Sequence, residues 1–468
     1  MPKPPTIPCL VKSRGIRFGK VPSYSPTKEV LCNYETIEDL DAIDGICKDS
    51  HSGFLSWSRR PFNERSEILR ASSSLVKKNK EQYVDAHMAI GAGRPFAEFI
   101  TDLASQNILE HALPISRPDG EVLKSQASEL ALSVRTPVGP VLSIAPWNAP
   151  TVLWARAIAA PLAAGCSVVA KASEKNPETS YLLAKDFHEA GVDLGALQVA
   201  NFAPQDQPQA TQRLIENQHI KKLTFTGSTG LGSKLAEIAG RSLKPTLLEL
   251  GGKNVQIVTP DADLEKAAES SLFSAWVHNG QVCMCLDNCY VHSSVVDEFL
   301  KILVEKAKSQ PSDGTPLRDI DGADKVRGLV SQAIDKGAKV VFGDPKQSQD
   351  AFVSPLILAG VDNSMNIYYE ETFGPVFSVM KYDNLDNVID EVNNLRFGLK
   401  TSIWSKNILN AVSVAKRIDS GAIHINGSTV HDEATVPHGG VSQSGFGRFN
   451  SHWGLDEFSF TKVITANQ

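Results

Sequence analysis

Apolar positions along this chain change their period several times, and each change marks an element. Between Thr36 and Lys80 they fall at helical spacing, with Ile68, Leu69, Leu75 and Val76 in register and Trp57 between two such segments. From Gly139 the texture alternates. Val141–Ala145 is a short apolar run, Thr151–Ala163 a helical one, Ser167–Lys171 β-rich and Glu178–Ala190 helical again. Leu197–Asn201, a helix from about Gln207, Lys222–Phe225, a helix from Gly230 and Thr246–Leu250 continue the series. A strand–helix rhythm of this kind predicts a parallel sheet covered on both faces, the layout of a nucleotide-type α/β unit. After Leu250–Gly251–Gly252 it restarts with Val255–Val258, a helix from Asp263 to about Asn279 and further pairs ending near Ile423–Asn426, so a second α/β unit is expected. The Pro-rich first 28 residues read as an extended arm or lead-in strands. Gly120–Arg135 follows neither period and reads as a hairpin arm toward a subunit or as a mobile surface loop. Phe458–Ile464 reads as a strand whose open edge a partner chain would cover.

Composition narrows the class. A chain of 468 residues is long enough for two or three domains, and 42% apolar with 21% charged residues excludes disordered, collagen-like and disulfide-framework proteins. Lys plus Arg number 47 against 53 for Asp plus Glu, a net charge of −6, which argues against nucleic acid or anionic membrane as a partner. The most apolar stretch, Ala157–Ala170, is broken by Pro161, Gly165 and Ser167 and falls short of the ~20 residues of a membrane span. Met1–Arg14 has no apolar signal core and Thr465–Gln468 matches no retention tail, so the expected location is cytoplasmic. The cysteines are Cys9, Cys32, Cys47, Cys166, Cys283, Cys285 and Cys289; seven is odd and sparse, which suits reduced thiols.

Cys283 ends Gly280–Gln281–Val282–Cys283, a turn after a long apolar helix, where a thiol is open to substrate as a nucleophile; the alternative is a buried structural cysteine. Cys283, Cys285 and Cys289, with His278 nearby, fit no standard zinc spacing, and no metal is expected. Glu249 lies among leucines, which would raise its pKa toward that of a general base, unless Lys253 or Lys244 pairs with it. Asn148, in Pro146–Trp147–Asn148–Ala149–Pro150, offers an amide to a developing oxyanion, or belongs to a plain turn. Gly227–Ser228–Thr229–Gly230–Leu231–Gly232 ends a strand and opens a helix, as a pyrophosphate site or as a tight turn without the usual dinucleotide fingerprint. Lys171 and Glu174 suit ribose hydroxyls, with Glu174 repelling a 2′-phosphate, or form a solvated pair.

Taken in order, Asn148, Lys171, the 227–232 loop, Glu249, Cys283 and Glu370–Glu371–Thr372–Phe373–Gly374–Pro375 form a series that resembles the NAD(P)-dependent aldehyde dehydrogenase superfamily. The likeness runs from about Trp57 to Lys462 and takes in Pro437–His438–Gly439–Gly440–Val441 and Ser444–Gly445–Phe446–Gly447–Arg448. Within it, Pro146–Pro150 with Arg156, and His424–Gly427 followed by Val430–Glu433, are most like the salicylaldehyde, benzaldehyde and vanillin dehydrogenase branch. The resemblance implies an aldehyde-dehydrogenase-like α/β fold: two Rossmann-like parallel-sheet domains plus a small oligomerisation arm. It implies an NAD-binding domain over 1–118 and 138–250, a catalytic domain over 251–437, and an arm and tail over 119–137 and 438–468.

It further implies that Cys283 attacks the aldehyde, that Asn148 and the Cys283 backbone N–H hold the oxyanion, and that Glu249 activates the water that releases a carboxylic acid. NAD, rather than NADP, would lie on Trp147, Lys171, Ser173, Glu174, Gly227, Ser228, Gly232, Leu250, Glu371 and Phe373. Leu153, Arg156, Val277, Val282, Met284, Val430 and His431 would line the substrate tunnel, with Arg156 meeting a substrate phenolate, hydroxyl or carboxylate, or pairing with Asp432 or Glu433. The implied substrate is an aromatic or hydroxyaromatic aldehyde and the implied assembly a homodimer or homotetramer. Alternatives are an aliphatic or terpenoid aldehyde dehydrogenase, a coenzyme A-acylating enzyme, against which Glu249 argues, and a catalytically weak binding descendant. Departures from the common pattern stand at Asn288 (often Arg), Phe449 (often Glu), Ala157 (often Lys), His438 (often Phe) and Ser442–Gln443, and they leave no side-chain proton relay to Glu249.

Overall fold

The computed structural model describes residues 4–13, 15–310 and 316–467; the start of the Pro-rich lead-in, Arg14 and Gln468 of the tail lie outside them. Two parallel sheets dominate. The first runs Gly445–Phe446, Thr246–Glu249, Lys222–Thr226, Val141–Ile144, Val168–Lys171, Leu197–Ala200 in spatial order. Its five parallel strands therefore reverse their winding between Val141–Ile144 and Lys222–Thr226, and ligands of such sheets bind beyond the strand C-termini at that reversal. The second sheet runs Lys339–Phe342, Leu356–Ala359, Val376–Tyr382, Leu286–His292, Asn254–Val258, Lys400–Trp404, Ala422–Ile425. Both were expected to be parallel, and each carries an antiparallel edge: Gly445–Phe446 beside Leu248–Glu249, and Lys339–Phe342 beside Leu356–Ala359. A strand returning from a distant part of the chain needs no crossover helix to pair in this direction.

Helix Pro150–Ala164 follows from its residues. Pro150 opens it where no N–H is needed, Gly165 closes it at φ +93°, and every side chain of Pro150–Ala163 is buried, as an all-round apolar composition requires. Helix Pro177–Ala190 starts at Asn176, whose side chain accepts from the Thr179 N–H, and stops at Gly191 with φ +116°. Two sequence expectations shift. Thr36 and Ile37 belong to strand Val30–Ile37, paired with Phe18–Tyr24, so the opening helix starts only at Ala42. The helix expected to reach Asn279 ends at Trp276: Val277 turns to ψ 133°, and His278, Asn279 and Gly280 all take positive φ. The Gly120–Arg135 segment is a hairpin, Gly120–Val122 with Leu130–Pro137, and Leu130–Pro137 also pairs along Ser459–Ala466. Among the described residues no helix is long and apolar enough to cross a membrane.

Candidate active site

A cavity of about 240 Å³ opens where the C-terminal edge of the first sheet faces the segments that feed the second. From the first come Pro146, Trp147, Asn148, Leu153, Thr226, Gly227, Ser228, Glu249, Leu250 and Gly251; from the second come Cys283, Glu371, Thr372 and Phe373, with Gly322 and Lys325 beside them. Asn148, more than 100 positions from the other two in sequence, thus shares one cavity with Glu249 and Cys283.

The turn that carries Cys283 is held by backbone constraints. Gly280 sits at φ +73°, and a Cβ there would lie 2.1 Å from the Gly374 carbonyl oxygen, so only glycine lets this turn pack on the Glu371–Pro375 segment. Asn254 donates its amide N–H groups to the Cys283 and Cys285 carbonyls, both at 2.8 Å, and accepts from the Lys400 N–H at 3.0 Å. Asn148 donates through Nδ2 to the Gln281 carbonyl at 3.0 Å, while its Oδ1 has no protein partner. Glu249 is fixed by the antiparallel pairing of its strand with Gly445–Phe446 and by the bond from the Leu250 N–H to the Ser444 carbonyl. Asn254, Lys400 and Ser444 were not singled out from sequence, because their contribution is made through backbone groups of remote segments.

Glu249 is 1% exposed and lacks a hydrogen-bond partner on either oxygen. Neither lysine proposed for it is available: Lys253 pairs with Asp287 at 2.9 Å, and Lys244 donates to the Ile215 and Asn217 carbonyls. Burial alone would push its carboxyl up, as the flanking leucines suggested. His438, the Cys283 thiol and Arg156 outweigh burial and hold it below the ordinary carboxylate range, so the expected upward shift is corrected to a downward one. Cys283 is half-buried, and burial plus the facing Glu249 raises its thiol well above the usual value. The resting group is a protonated thiol beside an ionised carboxylate. Lys400 is also near; burial first, then Arg156, brings it down to about 8.

For Arg156 the structure selects the second of the two expected partners, a protein carboxylate. Its guanidinium, 2% exposed, pairs with Asp432, so the cation placed in the substrate tunnel is neutralised by the protein. Of the other expected tunnel residues, Leu153 lines the cavity, while Val277, Val282, Met284 and Val430 belong to an apolar cluster around Cys283 with Cys285, Leu399 and Phe96. His431 is turned to Glu433, 2.8 Å away, and lies against the His424 ring. Cys285 and Cys289 are buried, with Cys289 Sγ accepting from Gln256 at 3.8 Å, so they do not converge with Cys283 on a metal.

The cofactor-type residues fall into two groups. Trp147, Gly227, Ser228, Leu250, Glu371 and Phe373 line the cavity. Trp147 and Phe373 meet edge to face at 6.1 Å, and Glu371 accepts from the Gly252 N–H at 3.1 Å. Gly232 lies behind Leu250, where a Cβ would come within 2.4 Å of the leucine methyl, so its glycine brings the helix Thr229–Arg241 close to the cavity wall. Lys171 and Glu174 lie at a neighbouring strand end and are bridged by Gln207, at 2.9 Å and 3.1 Å; they are not a solvated pair. Ser173, in the same loop, accepts from the Lys175 N–H. An apolar slot between strand C-termini, flanked by a helix start with no Cβ at Gly230 and with carboxylates for hydroxyl groups, suits an extended dinucleotide.

The departures from the common pattern also find physical accounts. Asn288 donates to the Tyr368 carbonyl at 3.1 Å and so steadies the segment before Glu370. Ala157 and Phe449 are buried, Phe449 in a cluster with Val141, Leu247 and Phe458, which leaves no side-chain relay at either position. His438 is 2% exposed and stands between Glu249 and Asp432.

A model of the aldehyde dehydrogenase family matches residues 13–464. A vanillin dehydrogenase of Pseudomonas fluorescens is 37% identical over 440 residues, covering 92% of this chain and 90% of its own. A benzaldehyde dehydrogenase of Bacillus subtilis is 37% identical over 440 residues, covering 91% and 89%. The solved structure of a salicylaldehyde dehydrogenase from Pseudomonas putida G7, complexed with salicylaldehyde, superposes with a TM-score of 0.95 at 32% identity over 99% of this chain and 98% of that one. With a match along nearly its whole length and a thiol, a carboxylate and an amide gathered at a dinucleotide-type cleft, this chain belongs to the aldehyde dehydrogenase family.

Proposed function

We propose that this enzyme oxidises an aromatic aldehyde to the carboxylic acid with NAD, through Cys283. Glu249 takes the thiol proton, and the sulfur adds to the carbonyl carbon to give a thiohemiacetal. The oxyanion is received by the second Nδ2 hydrogen of Asn148 and the Cys283 N–H. When bound, the cofactor supplies a hydride acceptor against that carbon, held by Glu371 at its ribose and packed by Phe373 and Trp147. Loss of the hydride leaves a thioester on Cys283. Glu249, freed of its proton to solvent, deprotonates a water that attacks this carbonyl, and the acid departs as the thiol is restored. The observation that carries this reading is the sharing of one cavity wall by Cys283, Glu249 and Asn148.

The aromatic substrate is supported by Leu153 on the cavity wall, by the apolar cluster of Val277, Val282, Met284, Val430 and Leu399 packed around Cys283, and by the substrates named for the relatives. With Arg156 committed to Asp432, a ring hydroxyl is tolerated rather than required. The preference for NAD is supported by Glu174, whose carboxylate beside Lys171 would repel a 2′-phosphate. A homodimer or homotetramer is supported by the one-sided strand Ser459–Ala466, which leaves Phe460, Val463 and Ile464 exposed, and a cytoplasmic setting suits seven free thiols. The proposed domain division is an NAD-binding part over 1–118 and 138–250, a catalytic part over 251–437 and an arm and tail over 119–137 and 438–468; Gly445–Phe446 of the tail adds an edge strand to the first sheet. The test is dinucleotide reduction, with NAD and with NADP, over benzaldehyde, salicylaldehyde, vanillin, cinnamaldehyde and straight-chain aldehydes, repeated on Cys283→Ala. Aromatic preference, NAD preference and a silent variant are expected; undiminished turnover by Cys283→Ala would overturn the mechanism, and a straight-chain preference the substrate class.

A further inference from the structure

Beyond oxidation, the cavity floor has the composition of a metal site. Cys283 Sγ, a Glu249 carboxylate oxygen and a His438 ring nitrogen all lie within 4.8 Å of one another. His438 Nε2 is 3.6 Å from Glu249 Oε1, close to the spacing of two ligands on one tetrahedral ion. Both nitrogens of His438 and both oxygens of Glu249 are without a hydrogen bond, although the two side chains are only 2% and 1% exposed. Buried polar atoms without partners are costly, and a ring nitrogen and a carboxylate oxygen that converge on one thiol point to a ligand. The outer shell fits as well. His438 Nδ1 faces Asp432 Oδ1 at 3.7 Å, and Asp432 is itself held by Arg156 and by Asn450 Nδ2 at 3.2 Å. A carboxylate behind a histidine is the arrangement that fixes the imidazole tautomer for zinc.

We propose that Cys283 Sγ, His438 Nε2 and Glu249 form a three-ligand zinc(II) site in which the metal reversibly blocks the reactive thiol. Binding replaces the S–H bond by an S–Zn bond and releases one proton to solvent; nothing is oxidised or reduced. Cys283 and Glu249 line the cavity, from which water would supply the fourth ligand. The nearby cations are Arg156, which is paired, and Lys400, so Glu249, Asp432 and the thiolate supply the compensating negative charge. His438 makes this site particular to a chain with histidine where the common pattern has phenylalanine. Only the inhibitory consequence rests on Cys283 being the nucleophile; the coordination does not.

The experiment uses the chelator-treated full-length enzyme with Zn²⁺ and, as a coloured probe, Co²⁺. One Co²⁺ per chain with a thiolate charge-transfer band, slower alkylation of Cys283 by iodoacetamide, and Zn²⁺ inhibition reversed by chelator are expected. His438→Phe, with inhibition normalised to its own rate, should weaken Zn²⁺ by at least the roughly 10–100-fold seen when an outer-shell partner is lost. His438→Asn serves if the phenylalanine variant does not fold, and Cys283→Ser should lose the band. Absence of the band, equal Zn²⁺ sensitivity in wild type and the His438 variants, or binding that follows His424→Ala and His431→Ala at the surface would each overturn the site. If the enzyme proves inactive on every aldehyde, the Co²⁺ spectrum still decides, so failure of the catalytic reading and failure of the metal site are separable.

Discussion

Replacing Arg156 with leucine tests whether this cation belongs to the protein or to the substrate. Arg156 and Asp432 are 2% and 7% exposed in their side chains, so the ion pair is sealed from solvent. Two unit charges about 4 Å apart at an effective dielectric of 20 attract by about 4 kcal/mol. Breaking a buried pair from one side costs about 3–5 kcal/mol, because the remaining carboxylate is left without compensation. Asp432 would retain only Asn450 and the neutral His438, with Glu249 beyond it. At about 2–4 °C per kcal/mol for a folding unit of 150–250 residues, a loss of about 4 kcal/mol lowers the melting midpoint by about 8–16 °C.

Scanning calorimetry at pH 8 measures that loss, and two companion measurements discriminate further. Arg156→Leu combined with Asp432→Leu should recover most of the stability, since apolar replacement of a whole buried pair is often neutral or better. The single variant should also approach wild type as the pH falls. Burial first, then Arg156, depresses the His438 pKa, so without Arg156 the folded state resists protonation less and acid destabilises the variant less than it destabilises the wild type. A midpoint shift under about 3 °C, or a double variant no better than the single, would refute the buried-pair argument. A stable single variant that loses only ring-hydroxylated substrates would return Arg156 to the tunnel.

Two further expectations concern the cofactor side of the cleft. Gly280→Ala places a methyl 2.1 Å from the Gly374 carbonyl oxygen at a φ of +73°, so the Glu371–Pro375 segment must move; KM for NAD should rise and kcat fall, each by tenfold or more, a geometric loss of about 1.4 kcal/mol or above per tenfold, and wild-type kinetics would contradict the close packing. Burial pushes the Glu371 carboxyl up to about 7, against the pull of Lys325, so it protonates as the pH drops through neutrality. A carboxylate that accepts ribose hydroxyls binds best when ionised, so NAD affinity should weaken by up to about tenfold per pH unit below 7, and Glu371→Gln should flatten the profile; fluorescence titration of NAD between pH 5.5 and 8.5 measures both.

Much of the architecture was readable because burial in an α/β layer imposes its own spacing. Val141–Ala145 and Ser167–Lys171 are uninterrupted apolar runs since both faces of a parallel strand are covered, and the structure places strands at Val141–Ile144 and Val168–Lys171. The same locality accounts for Gly165 and Gly191 as helix ends. Where the chain breaks its period for a tertiary reason, the reading failed: nothing in the apolar pattern shows that the helix stops at Trp276 so that three left-handed residues can aim Cys283 into the cavity.

For the site itself, the order of Asn148, Glu249, Cys283 and Glu371 along the chain was enough to name the chemistry. Residue type and strand-end position are local properties, and the reaction needs a thiol, an amide and a carboxylate at such ends. The sequence alone therefore determined the family, the layered α/β units and the groups that the proposed reaction uses. Only the tertiary structure decided the charge state and partners of those groups. Arg156 meets Asp432 from 276 positions away, His438 comes to rest between two carboxylates, and Glu249 is ionised rather than protonated as a result. Electrostatic energy depends on distance through space and on exclusion of water, and neither is a function of separation along the chain.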